Sequence, residues 1–280
     1  MSCTNPRPTK KEKRKEKKRA ERGTCPPPRI ERTYIMFQTT KALVLREVKY
    51  KEADRILTLL TADNGKITAK ARGALRRSSK TGAATQQLTY ADMTLFLNKG
   101  KWTVNEASVI EPFEGLKGDI AHFALGCYFA ECAEALSVED QRDDALLSLV
   151  LNSLYALSRD LHDARKIKAA FELRLMSLSG YRPSPEHCAH CGTETVENPV
   201  FDLADGRVYC RKCSRSGSTV TLDDASLAAM RTVLNATPKQ IFSFELGGDS
   251  LVSLSFAAEN YLLMQTERSF GTLDYYKQFK

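Results

Sequence analysis

Long apolar runs are missing from this 280-residue chain. No stretch reaches the roughly 18 apolar residues that a membrane-spanning helix requires, so no membrane association is expected. The basic N-terminus has no apolar segment behind it, which speaks against a secretory signal. Also absent are the phosphate-cradling G-x-x-x-x-G-K-[ST] loop, the dinucleotide glycine fingerprint and the H-E-x-x-H helix, so no nucleotide cofactor is expected. Histidine is scarce, at four residues. Two of them, His122 and His162, fall in helical patterns where a satisfied core or surface role is the simpler reading. The acid pairs Asp143-Asp144 and Asp223-Asp224 stand at helix starts, where the helix dipole favours them, and read as first-turn residues rather than as an acid/base pair. No catalytic constellation remains, and the chain reads as non-enzymatic.

A disulfide framework is lacking too. Of eight cysteines, four form two C-x-x-C pairs and the rest are scattered, a usage that fits a reducing compartment. A cytoplasmic location is therefore expected. Cys127 and Cys132 lie on an apolar helix and should pack there as small hydrophobes.

Net charge is +8, but residues 1–35 alone hold 12 Lys or Arg against 4 Asp or Glu, leaving 30 of each sign for residues 36–280. Any nucleic-acid site in the folded part must come from local clustering. Residues 1–35 contain almost no periodic apolar content and are expected to be disordered. Two readings stay open for them: a basic arm on nucleic-acid phosphates, or residues upstream of a translation start at Met36.

From Phe37 to about Ile110 the pattern is that of strands. ALVLREV (42–48), RILTLLT (55–61), KITAKAR (66–72), ADMTLFLN (91–98) and KWTVNEASVI (101–110) follow in order. Asp63-Asn64-Gly65 predicts a hairpin with a type I′ turn, and Lys99-Gly100 a second tight turn. The polar stretch 74–88 predicts a connection with a short helix. Five short strands with a long connection between the third and fourth match a Greek-key barrel of the OB type over residues 36–114. From Lys117 the period becomes helical: 118–137, 143–161, 164–180 with Gly180 as C-cap, 223–236 and 255–269. The predicted fold class is thus α+β and multidomain, an OB barrel followed by an α-helical domain over residues 115–280.

Within that helical domain Cys188, Cys191, Cys210 and Cys213 have the spacing of a four-thiolate zinc site, in an insert spanning 185–216. The residues between the pairs read as a hairpin turning at Asp205-Gly206. Four thiolates close the coordination sphere, so one structural Zn²⁺ is expected rather than a catalytic one. His187 and His190 flank the first pair as minor candidates for substitution.

Acidic residues are missing from Asn64 to Ala91, a stretch that holds Lys66, Lys70, Arg72, Arg76, Arg77 and Lys80. Lys66, Lys70 and Arg72 alternate on one strand, so their side chains share a face that can track phosphates. Lys49, Tyr50 and Lys51 in the first loop, with Lys99, Lys101 and Trp102 at the fourth, complete the candidate DNA-binding set. Tyr50 and Trp102 are available to stack on bases. The apolar faces of 119–136 and 165–178 read either as ordinary core or as a groove for a short acidic peptide.

Three motifs, ALVLREVKYKEADRILTLLTADNGKITAKARGALR, FELRLMSLSGYRPSPEHCAHCG and VYCRKC, resemble the bacterial RecO family of recombination mediators over about residues 36–280. The resemblance implies an OB domain, a helical domain and an embedded zinc segment. It also implies binding to single- and double-stranded DNA, annealing of complementary strands, and work with RecR to load RecA onto DNA coated by the single-stranded-DNA-binding protein, whose acidic tail is the expected peptide. The family needs no nucleotide. The alternative is a zinc-stabilised interaction adaptor with little direct DNA contact.

Overall fold

The structure, a computed structural model, describes residues 36–214 and 216–279; the expectations for residues 1–35 lie outside the described residues. Five strands come first: β1 (Met36–Tyr50), β2 (Asp54–Thr61), β3 (Gly65–Ala71), β4 (Tyr90–Asn98) and β5 (Lys101–Glu111). They close into a barrel of order β1-β2-β3-β5-β4, antiparallel except for a short parallel pairing of β3 with β5. This is the expected OB barrel. Period-2 alternation makes it: Ile67, Ala69 and Ala71 point inward while Lys66, Thr68 and Lys70 point out.

The run Ala42-Leu43-Val44-Leu45 is buried on both faces. Ala42 and Val44 fill the barrel interior with Leu57, Leu59, Met93 and Leu95. Leu43 and Leu45 face the other way, into the core shared with the helices. A continuous apolar run on one strand therefore reports two cores, one on each side of β1.

One turn and one connection differ from expectation. The β2–β3 connection is a three-residue loop closed by the Thr61–Gly65 pair, with only Gly65 at positive φ, +61°. The Thr61 hydroxyl accepts from the Asn64 N–H at 2.9 Å and donates to the Gly65 carbonyl at 3.0 Å, so a side chain supplies the closure that an I′ turn would give. The I′ geometry occurs instead at Lys99-Gly100, with φ of 49° and 73° between paired Asn98 and Lys101. Residues 72–88 form successive turns and no helix. Gly73 and Gly82 interrupt a stretch otherwise rich in helix formers, and Arg55 fixes the path by donating to the Gly82 carbonyl at 2.8 Å and the Thr85 hydroxyl at 3.0 Å.

The helices are α1 (Glu114–Lys117), α2 (Ile120–Leu136), α3 (Asp144–Ser158), α4 (Ala164–Leu178), α5 (Asp224–Asn235), α6 (Gly248–Thr266) and α7 (Gly271–Tyr276). Asp119, Asp143, Asp163 and Asp223 are N-caps whose carboxylates accept first-turn N–H groups. The acid pairs at 143 and 223 are accounted for in this way. Helix α4 closes at Gly180, φ +89°, with the Tyr181 N–H donating to the Met176 carbonyl at 2.8 Å. Helix α6 starts at Gly248, earlier than expected, and its first two turns already bury Leu251 and Leu254. Among the described residues no helix is long and apolar enough to cross a membrane.

Between α4 and α5 lies a small sheet of β6 (Ser184–Cys188), β7 (Val200–Asp202), β8 (Arg207–Tyr209) and β9 (Thr219–Thr221), ordered β6-β8-β7-β9. Its β7–β8 hairpin turns at Asp205-Gly206, as expected. The sheet is fastened to the helices: Phe201, Val208 and Val220 enter the helical core. Arg231 of α5 donates to the carbonyls of Pro185 and Glu186, and Gln265 of α6 to those of Leu203 and Ala204.

Candidate nucleic-acid interface and metal centre

A groove of about 660 Å³ crosses the outer face of the barrel. Six of the twelve expected DNA-binding residues line it: Tyr50, Lys70, Arg72, Lys99, Lys101 and Trp102. They arrive from three directions. Tyr50 ends β1, Lys70 and Arg72 close β3, and the I′ turn presents Lys99 and Lys101 beside Trp102. Because β3 pairs with β5 at Ala69–Trp102 and Lys70–Thr103, the two cationic segments are fixed side by side.

Lys70 is held by two contacts. Its Nζ lies 2.8 Å from Asp54 Oδ2 and 4.9 Å from the centroid of the Tyr50 ring. Asp54 also accepts from the Gly73 N–H at 2.8 Å. Hydrogen bonds from Lys70 and Gly73 hold this carboxyl below the usual carboxylate range. Lys49, near the end of β1, and Lys51, in the β1–β2 loop, stand exposed, with Lys51 Nζ 5.6 Å from the Tyr50 ring centre.

Four expected residues are placed elsewhere. Lys66, at the opposite end of β3, donates to the Glu134 carbonyl at 2.9 Å and so holds barrel to helix α2. Arg76, Arg77 and Lys80 lie on the β3–β4 connection and do not line the groove. Trp102 has a double position: it lines the groove yet packs against the barrel core. It therefore serves as floor rather than as a free plate. Ile56 and Phe96, also in the lining, were missed; the outward phase of the alternation on β2 and β4 was the signal that marks them.

The second site lies in the small sheet. The sulfurs of Cys188, Cys191, Cys210 and Cys213 all fall within 4.8 Å of one another. Cys188 and Cys210 are 3.9 Å apart, and Cys191 and Cys210 are 4.0 Å apart. Tetrahedral thiolates at roughly 2.3 Å from one ion stand about 3.8 Å from each other, so these four cysteines can hold a metal ion. The Cys210 N–H points at Cys188 Sγ from 3.3 Å. Burial pushes the Cys188 thiol up, but N–H groups of Cys191, Cys210 and His190 outweigh it and bring it down to about 6. Neither His187 nor His190 joins the cluster.

The remaining candidates resolve as structure. Burial raises the Cys127 thiol to about 12 and Cys132 well above its usual value, as befits packed, inert thiols. The apolar faces of 119–136 and 165–178 are core rather than groove: from Ala124 to Ala133 and from Lys166 to Met176 nearly every residue is buried. At their centre lies an ion network that the sequence did not reveal. Lys168 Nζ is 2.8 Å from both Glu172 Oε1 and Glu259 Oε2, Glu259 Oε1 is 2.6 Å from Lys277 Nζ, and Tyr128 donates to Glu172 at 2.8 Å.

Fold and sites together define an OB-barrel protein with an appended helical region and a four-cysteine module. Residues 36–113 match the family model "Recombination protein O N terminal", and residues 117–274 match "Recombination protein O C terminal". The chain is similar to proteins named "DNA repair protein RecO". That of Acetivibrio thermocellus is 31% identical over 242 residues, covering 86% of this chain and 96% of the relative. That of Symbiobacterium thermophilum is 32% identical over 230 residues, covering 81% and 91%. That of Nocardioides sp. is 30% identical over 250 residues, covering 86% and 99%. The chain belongs to the RecO family of DNA repair and recombination proteins.

Proposed function

We infer that the protein is a non-enzymatic recombination mediator whose barrel groove binds single- and double-stranded DNA. In this reading it anneals complementary strands and, with RecR, helps load RecA onto DNA coated by the single-stranded-DNA-binding protein, whose acidic C-terminal tail is a further partner. The observation that carries the reading is the convergence of Lys70, Arg72, Lys99 and Lys101 with Tyr50 and Trp102 on one groove. Lys and Arg along such a track release counterions from the phosphate backbone, which makes binding independent of sequence and sensitive to salt. Two strands held on cationic surface repel each other less, which favours annealing without nucleotide hydrolysis. The four cysteines hold one structural Zn²⁺, which closes the knuckles of the small sheet and leaves no open position for a reacting group.

Salt-titrated anisotropy with a bare oligonucleotide tests the reading. Reversing charge at Lys70, Arg72 and Lys101 together should weaken binding by at least ~100-fold at low salt and flatten its salt dependence by about three ions' worth. Unchanged affinity in a folded variant would sink the assignment and favour the adaptor reading.

A further inference from the structure

One row of outward-facing residues runs across the barrel by register. Val48 pairs with Ile56, Ile56 with Lys70, Lys70 with Thr103, Thr103 with Phe96, and Phe96 with Phe37. At its far end the Phe37 and Phe96 rings lie with centroids 5.0 Å apart and planes inclined by 43°. Phe37 is 60% exposed, the most open of the large apolar side chains on the barrel, and Phe96 lines the groove. The neighbouring row on the same two strands is polar, Thr39 facing Thr94 with hydroxyls 3.1 Å apart. Outer barrel positions are ordinarily solvated, as Thr39, Lys41 and Thr94 are. Here two apolar rings are in contact instead, and one of them, Phe37, is left mostly open to water.

We propose that Phe37 and Phe96 form a stacking subsite for unpaired nucleobases, which makes the groove prefer single strands over duplex. This rests on reading the groove as a DNA interface. The occupant follows from what flanks the rings. Two strand spacings from Phe96, roughly 10 Å, the same row reaches Lys70, and Lys101 lies on the strand between. Phosphates that follow the cations bring their bases across Thr103 to the rings. Every base offers a π-face, so the contact is tolerant of sequence; in duplex those faces are already stacked on one another and cannot reach the protein. Tyr50, on the other side of Lys70, is occupied by the two lysines over its ring, and Trp102 is engaged by the barrel core. Among the described aromatics on this face of the barrel, Phe37 and Phe96 are left open.

The test compares Phe37→Ala/Phe96→Ala with the Lys70→Glu/Arg72→Glu/Lys101→Glu variant of the full chain, on an oligo-dT strand and on duplex of equal length. The aromatic variant is expected to lose about tenfold or more in single-strand affinity while keeping its duplex affinity and its salt slope. The cationic variant is expected to lose both affinities and to flatten the slope. Phe37→Leu/Phe96→Leu, which keeps apolar volume without flat rings, should lose single-strand affinity as the alanine variant does, and Phe96→Trp should retain it. A single 2-aminopurine in the strand should be quenched on binding to the native chain and less so on binding to the alanine variant. Equal loss on strand and duplex, or no loss on either, overturns the stacking subsite even when the cationic variant behaves as expected. If the cationic variant binds both as the native chain does, the groove itself is misassigned. Wild-type DNA binding by the leucine variant would mark the rings as apolar cover, for example for a protein side chain, and would also overturn the proposal.

Discussion

Lys70 Nζ lies 2.8 Å from Asp54 Oδ2, beside the groove on which Lys70, Arg72, Lys99 and Lys101 converge. Asp54 offsets part of the charge that the groove presents to phosphate, while its other oxygen anchors the Gly73 N–H at the end of β3. Asp54→Asn keeps an acceptor for Gly73 and removes the charge. We expect tighter DNA binding by about 3- to 10-fold at low salt, with a slope steeper by about 0.7 on single strands, the value of one further ion released. Salt-titrated anisotropy measures both. A drop in affinity would show that Asp54 serves by positioning Lys70 rather than by attenuating it.

Cys188 and Cys210 stand on β6 and at the end of β8, and the first is fully buried. Replacing either by Ser removes a ligand from a set with none to spare. Native protein should carry about one zinc per chain, and Cys188→Ser or Cys210→Ser close to none. Limited proteolysis should then cut within residues 184–221, while the groove on the barrel keeps its salt-sensitive binding. Metal analysis of freshly purified, reduced protein, with proteolysis of both variants, checks this.

The barrel was legible because alternation on a half-buried strand is written directly in the residues: the letters KITAKA by themselves read in-and-out. The helices were legible from their Asp caps and apolar period. Strands of three residues, such as Val200–Asp202 and Thr219–Thr221, are too short to show a period; the hairpin turn betrayed the first, and nothing in the sequence marked the second. Cysteine spacing is local and survived intact. The cationic stretch did not, because Lys66 and Lys70 share a face but sit at opposite ends of a strand, and one end is covered by α2. The Phe37–Phe96 contact was unreadable for another reason: it is set by register between strands far apart in the chain. Lys168 and Glu172 look like an ordinary solvated i,i+4 pair; only tertiary packing against Glu259 buries them.

Gly65 joins barrel and helices at close quarters. It sits at φ +61°, and a Cβ there would overlap the Gln141 carbonyl oxygen in the α2–α3 connection. Gly65→Ala therefore carries both left-handed strain and a backbone clash. We expect a loss of about 2–3 kcal/mol in urea unfolding. Gly100→Ala, at φ +73° with no atom within 4 Å of the added carbon, should cost only the strain, about 1–2 kcal/mol. Equal losses would show that the approach to Gln141 is relieved by backbone movement.

Glu259 bridges Lys168, fully buried, and Lys277, at the chain's C-terminal turn. Burial favours its neutral form, but the charges and hydrogen bonds of Lys168 and Lys277 outweigh it and hold the carboxyl below the usual glutamate value. The folded state thus binds a proton at this site less readily than the unfolded chain does. Its contribution to stability is complete above the unfolded pKa and is lost as pH falls through the depressed folded value. Glu172 works in the opposite sense, since burial, against Lys168 and Tyr128, leaves its carboxyl above the usual range. Glu259→Gln should cost about 3 kcal/mol at neutral pH, because Lys168 then keeps one carboxylate instead of two in a dry core. The variant should also show a shallower fall in stability below about pH 4.5, the ordinary glutamate range, since the group whose titration drives that fall is gone. Urea titrations from neutral to acid pH on both proteins measure the difference, and parallel curves across the acid range would remove Glu259 from the account of acid unfolding.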